Sequence, residues 1–365
     1  MTTPPTTRAQ ASRWSVDHAL SLPEVWALVA ALSGLVGAWR LTGVCRAARA
    51  GAKEWLRTLP GLIVGGGHTR RGLTREVRRL DLATLRWTPM PALVIARCDH
   101  ACCTVRGNLV VLGGRTGGGH INSTSVEMLS KGGGEFVQLP SLSYGKIYGA
   151  AAIAVEESAS TAGQVLLLGG MGQGGVALST VQLVDLASGV CTPHPQPVLL
   201  NERCYSAAAR LPDGRVICAG GSDGPGGQLA TVEMWAPPLQ GMADAAWAWR
   251  ALPAMSVELI GCCGCVMSDG RFAVFGGRSN NVVTSSCEAL KVGTDEHWEP
   301  LPPMHDSRYS FACAAVAGCV IVVGGRDQAT SEVYDEVLNR WLRLPSDLPH
   351  APGHSGLWNM SSALL

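Results

Sequence analysis

The sequence predicts a mainly β protein: a six-bladed β-propeller closed by its C-terminal strand and preceded by a small three-helix module. Three observations carry that expectation. Short apolar runs end in glycine doublets at GLIVGG, LVVLGG, VLLLGG, VICAGG, FAVFGG and VIVVGG, with first glycines 48, 56, 51, 56 and 48 residues apart. A period near fifty residues means stacked supersecondary units, none able to bury its apolar face alone. Each doublet is followed by a small hydroxyl, any residue, then an acid or amide: Thr74 and Glu76, Ser125 and Glu127, Thr180 and Gln182, Thr231 and Glu233, Ser286 and Glu288, Thr330 and Glu332. Ahead of the first repeat, residues 22–59 carry apolar residues at helical spacing.

Taken in order, residues 1–17 open with MTTPPTTRAQAS and hold no apolar signal core, so they are expected to be a disordered tail on a cytoplasmic or nuclear protein. Residues 18–60 form the helical module. Leu22-Pro23-Glu24 starts the first helix, with Pro23 in a tolerated first-turn position and Glu24 favourable to the helix N-terminus. Val25, Leu28, Val29 and Leu32 follow at helical spacing; Gly34 interrupts, Leu35, Val36, Trp39 and Leu41 make a second stretch, and a third, basic helix carries Arg46, Arg49 and Trp55. Of Gly34, Gly37 and Gly43, at least two are expected in turns between helices. Residues 25–39 carry no charge, yet the run is shorter than the roughly 20 residues a membrane span needs, so no membrane is expected.

Residues 61–365 make the ring. In each unit the doublet strand leads through a loop to a second strand, then to an aromatic (Trp87, Phe136, Trp249, Trp298, Trp341, with Cys191 the exception), a proline-containing exit and a run of small residues before the next doublet. Asp213-Gly214 and Asp269-Gly270 are expected to be two-residue hairpin turns. Four antiparallel strands per unit, six times over, close into a propeller. The first unit lacks a small-residue strand before Gly61, and the tail from about Gly353 to Ala363 is expected to supply it.

Net charge is +1, so no overall field recruits nucleic acid or membrane. Arg70, Arg71, Arg75, Arg78 and Arg79 read as a solvated edge of the first unit. The 13 cysteines are odd in number and irregular in spacing, and many fall in the small-residue strands, where they act as small buried hydrophobes. Cys262, Cys263 and Cys265 lack a second pair at zinc spacing, so no metal or other cofactor is expected. With 9 His and 5 Tyr, and neither a phosphate-binding loop, a dinucleotide fingerprint nor a nucleophile elbow, catalysis is not expected.

The double glycine, downstream acid and downstream tryptophan resemble the kelch repeat, over about five-sixths of the chain. The Leu-Pro-acid start, apolar helix and Val-Cys-Arg followed by a tryptophan resemble an F-box. That resemblance implies adaptor binding through Leu22, Pro23, Val44, Cys45, Arg46 and Trp55. Together the two imply the substrate-recognition subunit of a Skp/cullin/F-box ubiquitin ligase, which holds a Skp-family adaptor with its helices and a protein substrate with its ring, acting by proximity. The alternatives are a kelch scaffold outside ubiquitin chemistry, and helices that merely cap the ring.

The kelch resemblance also implies that cations just before the innermost strands face a shared pocket: Arg97, Arg203 and Arg308, with Lys146, Glu258 and Gly353 at the equivalent places. A positive mouth would grip an acidic or phosphorylated partner. The competing role for these arginines is to brace loops by bonding backbone carbonyls.

Overall fold

A computed structural model describes residues 16–117, 121–155, 160, 162–193, 198–236, 248–349 and 357–365. Of the expected tail, only residues 16 and 17 are among these, and they open a helical turn at 16–20. Helix α1 (Pro23–Leu41) begins on proline and breaks at Gly34, whose φ of 69° and ψ of −176° leave the helical region. Helix α2 (Arg46–Thr58) is capped by Cys45, whose Sγ accepts from the Ala48 N–H at 3.3 Å. Gly34 and Gly43 thus lie in the breaks, and Gly37 stays within the helix. A Cβ on Gly51 would sit 2.0 Å from the Pro23 carbonyl oxygen, so glycine is what lets the two helices cross so closely.

Six four-stranded antiparallel sheets follow among the described residues. Their doublet strands are Leu62–Gly65, Asn108–Leu112, Gln164–Leu168, Val216–Ala219, Phe272–Ser279 and Cys319–Val323, apolar runs buried on both faces. Inside each lies a small-residue strand: Ala101–Val105, Ala151–Val155, Ala207–Arg210, Cys263–Val266 and Ala312–Val316 in sheets two to six. The first sheet takes its inner strand from the other end of the chain, Ser361–Leu364, antiparallel to Leu62–Gly65 with Ala363 opposite Ile63. Inner strands touch their neighbours from the first sheet through to the sixth, and the sixth touches the first. The alanines and cysteines here have a steric reason: six strands converge, and only small side chains fit between them.

Outer strands are tied to the sheet before. The indoles of Trp298 and Trp341 each donate at 2.8 Å, to the carbonyls of Pro253 and Pro302 just after the outer strands of the preceding sheets. Where Cys191 replaces the aromatic, its N–H donates instead to Ser143 Oγ at 2.8 Å.

Three expectations need correcting in register. The first doublet is Gly66-Gly67, with φ 60° and 106°, not Gly65-Gly66; Gly65 is strand, opposite Val77. The hydroxyl and acid positions of that unit are therefore Glu76 and Arg78, because Gly66 N–H donates to the Glu76 carbonyl as Gly113 N–H does to that of Ser125. The Asp-Gly turns are three-residue loops: Gly214 and Gly270 have φ 91° and 86°, but Asp213 and Asp269 do not have positive φ, and their Oδ1 atoms accept from the next-but-one N–H at 3.1 and 3.0 Å. Two-residue turns with positive φ at both positions occur instead at Arg106-Gly107 and Ala317-Gly318.

The helices pack against the turns at the end of the sheets away from the doublets. Leu35 N–H donates to the Ala317 carbonyl at 3.2 Å, and the Trp39 indole to that of Leu82 at 2.7 Å. Leu35, Val36, Ala38 and Leu56 share one apolar cluster with Leu80, Leu82, Ala314 and Val316. By length and composition alone α1 could cross a membrane. In the fold its second half is built into the first and sixth sheets.

Candidate functional site

At the doublet end, six residues enter the inner strands in the left-handed region: Asp99, Gly149, Tyr205, Gly261, Ser310 and Asn359, all with φ between 52° and 64°. Their backbones form a circle. Gly149 N–H donates to the Asp99 carbonyl at 2.8 Å, Tyr205 to Gly149 at 2.8 Å, Gly261 to Tyr205 at 3.1 Å, Ser310 to Gly261 at 2.8 Å, Asn359 to Ser310 at 3.0 Å and Asp99 back to Asn359 at 2.9 Å. A left-handed residue turns its N–H and carbonyl sideways to its two neighbours, and that conformation, tolerated by Gly, Asn and Asp, explains the composition of the circle. Tyr205 and Ser310 hold it less readily and are kept there by the bonds on either side.

The expected substrate-binding arginines sit beneath this circle and not at its surface. Arg97, Arg203 and Arg308 are 0% exposed. The Nη1 atoms of the three donate to the carbonyls of Gly113, Gly220 and Gly324 at 2.8, 2.7 and 2.8 Å, and their Nη2 atoms bond Ser125 Oγ, Thr231 Oγ1 and Thr330 Oγ1. Each pairs with the acid two residues further on: Glu127, Glu233 and Glu332. Burial draws the Arg97 pKa below its ordinary value, and Glu127 opposes the shift. Each carboxylate also accepts N–H groups of the preceding loop, such as Val94 at 2.7 Å and His305 at 2.8 Å. The hydroxyl, any residue, acid signature is therefore a socket for an arginine of the same unit. Among the described residues only the Nε atoms of Arg203 and Arg308 lack a hydrogen-bond partner, and both are buried out of a partner's reach, so the bracing role is the one the geometry supports.

The equivalent positions also shift. The second glycine of each doublet donates to the carbonyl of the brace residue, which is Arg97, Ile147, Arg203, Leu259, Arg308 and Leu357 in turn. Lys146 and Glu258 are exposed neighbours of Ile147 and Leu259, and Gly353 lies outside the described residues. Brace and acid change together: Ile147 goes with Gln182, and Leu357 with Arg78, which pairs with Glu76 at 3.0 Å. Only Glu288 keeps its charge opposite an aliphatic brace.

Burial pushes the Glu288 pKa up, with the Ser256 N–H opposing. For Glu332, burial pushes the same way but is outweighed by Arg308 and the His305 N–H, so its pKa is lowered. The signs differ in consequence. A raised folded-state pKa means Glu288 weakens the fold at neutral pH and that this deficit shrinks as pH falls through its folded value; Glu332 stabilises above the usual carboxylate range, and that support is lost as pH falls. Glu288→Gln is therefore expected to leave stability at pH 7 unchanged or raise it by about 1 kcal/mol, measured by urea unfolding, with the advantage vanishing near pH 4. A loss above about 1 kcal/mol at pH 7 would refute the unpaired-charge account.

What does face outward follows the doublets. Arg115, Arg278 and Arg326 each come directly after a Gly-Gly pair, a recurrence visible in the chain. They stack on aromatics around the rim: Arg115 over Tyr148 at 5.1 Å, Arg278 and Arg326 on Tyr309 at 5.4 and 6.0 Å, and Arg326 on Trp358 at 6.0 Å. His68 continues the stack 4.8 Å from Trp358. Arg115 is neutralised by Asp99. Arg278 and Arg326 have no carboxylate partner among the described residues, and Arg326 Nη1 donates to the Tyr309 hydroxyl at 2.7 Å.

At the other end, the expected adaptor-binding residues split. Leu22, Val44, Cys45 and Arg46 are exposed, Pro23 is half-buried and lines a groove with Arg46, and Trp55 packs against the apolar cluster. Leu28 and Leu32, at 68% and 90% exposure, extend the apolar surface beyond the residues singled out from sequence. Among the described residues no three His, Cys, Asp or Glu side chains converge as metal ligands would.

Comparison with known proteins agrees with the repeat. The Kelch motif model matches residues 96–143, one whole unit from Arg97 through Gly113-Gly114 to Glu127 and Phe136. Kelch-like protein 35 of Mus musculus is 26% identical over 322 residues, 76% of this chain and 51% of its own. Kelch-like protein 34 of Homo sapiens is 25% identical over 300 residues, 76% of this chain and 44% of its own. The chain spans about half the length of these curated relatives. The solved structure of YjhT superposes with a TM-score of 0.51 at 12% identity, covering 66% of this chain and 82% of that one, a likeness of fold alone. The matched motif and these distant relatives support a kelch-type repeat in the chain.

Proposed function

We propose that the six sheets are the blades of a closed kelch propeller, and that the protein is the substrate-recognition subunit of a Skp/cullin/F-box ubiquitin ligase. The circle of six backbone bonds supports the closed ring. The observation that carries the functional reading is the division of the molecule into two ends. The mouth, with its unneutralised Arg278 and Arg326, faces away from helices whose outer surface leaves Leu28, Leu32 and Val44 exposed. A receptor that works by proximity needs two separate docking surfaces held rigidly, and does no bond chemistry of its own. The acidic or phosphorylated partner belongs at Arg278 and Arg326, in place of the buried braces.

A second reading, a kelch scaffold outside ubiquitin chemistry, is favoured by the burial of Leu35, Val36 and Ala38 against the ring, which also suits a mere cap. Capture of purified Skp-family adaptor by the full chain separates the two. Val44→Glu with Cys45→Asp keeps a side-chain acceptor at the cap position of α2 and is expected to abolish capture without moving the melting temperature. Capture that survives these changes, or none by the unaltered chain, removes the ligase reading.

A further inference from the structure

Two residues just before each of the six inner strands line a slot of about 120 Å³ inside the circle. That is room for one short side-chain tip, on the scale of roughly 30 Å³ per water. Asp99 lines it. Its side chain is 1% exposed, and Arg115 Nε donates to its Oδ2 at 2.6 Å, as does the Cys98 thiol at 3.2 Å. The other oxygen, Oδ1, is buried without a hydrogen-bond partner among the described residues. Such an acceptor carries an unmet desolvation penalty.

We propose that this slot reads one residue of the partner: a neutral side chain bearing a hydroxyl or carboxamide, whose N–H or O–H donates to Asp99 Oδ1 while Arg278 and Arg326 hold a nearby acid. The inference rests on the mouth being the partner site. A cation is disfavoured because Arg115 already balances the Asp99 charge and stands beside it. Tyr205, on the circle next to Gly149, packs edge-on to Tyr148 with ring centroids 6.4 Å apart and walls the slot against bulk. The partner segment then reads as serine, threonine, asparagine or glutamine within a few residues of an acidic or phosphorylated one.

A random peptide library displayed on phage and selected on the full chain tests this. Selected peptides are expected to share such a polar residue, and changing it to alanine should weaken binding to the unaltered protein about tenfold, the scale of one good hydrogen bond to a charged group. Asp99→Asn, whose oxygen can stay with Arg115 while its amide N–H2 turns to the slot, should erase that difference. Ser310→Asn adds bulk in a left-handed position asparagine accepts, leaves Asp99 and Arg115 intact, and should lower the parent peptide to the level of its alanine form. Lysine selected at that position, or discrimination that survives both variants, overturns the proposal while leaving the mouth reading in place. If Arg278→Ala with Arg326→Ala captures the same peptides undiminished, or nothing is captured at all, the mouth reading falls and this one with it.

Discussion

Arg203→Ala is expected to destabilise the folded chain by about 3–5 kcal/mol, the range for removing one partner of a buried ion pair. The loss is large because Glu233 would remain buried at 1% exposure without its cation, and the Gly220 and Thr231 carbonyls would lose their donor. The molecule contains its own control. Its third unit manages with Ile147 and Gln182, so Arg203→Ile with Glu233→Gln is expected to recover more than half of the loss. Urea unfolding of the single, paired and unaltered chains measures both terms. An Arg203→Ala protein that unfolds within about 1 kcal/mol of the unaltered chain would mean the guanidinium braces nothing.

Ending the chain before Leu357 is expected to abolish cooperative unfolding. Leu62–Gly65 would lose its inner partner and become an open edge. The circle would lose both bonds made by Asn359. Burial of Met360 alone contributes about 2 kcal/mol, and Ile63 and Val64 would be newly exposed. Thermal unfolding followed at several wavelengths should lose its single transition, and gel filtration should show association through the free edge. A single sharp transition at the original temperature would mean that the C-terminal strand does not hold the first sheet in place.

Much of the strand order was legible because the doublets, the acids and the small-residue runs are local signals with a steady period. Register in the first unit was not, because GLIVGGGH holds three glycines in a row and only strand pairing shows which two turn left-handed. Which of the two roles open to Arg97, Arg203 and Arg308 applies was hidden for a different reason. An arginine before a polar loop looks solvent-facing in sequence, while the carboxylate that buries it lies 30 residues on at Glu127. Loops of unequal length likewise hid that Ile147, Leu259 and Leu357 stand in for arginine. The outward arginines did leave a signal: Gly-Gly-Arg recurs at Arg115, Arg278 and Arg326. Its meaning depends on a doublet that carries the chain back to the mouth, which the spacing alone does not reveal.

The alternation of braces also sets a rhythm in time. Charged sockets occupy the second, fourth and sixth sheets, and aliphatic ones the intervening three, so a three-beat pattern of stiffness is laid over six-fold architecture. Local opening should start where no guanidinium clamps doublet to loop. Amide hydrogens of Gly114's counterparts beside Ile147, Leu259 and Leu357, which are Gly114, Gly221 and Gly325, should exchange with solvent sooner than those of Gly67, Gly170 and Gly277, whose acceptors Arg97, Arg203 and Arg308 are pinned. The six sheets would then open alternately, each opening contained by a rigid neighbour on either side.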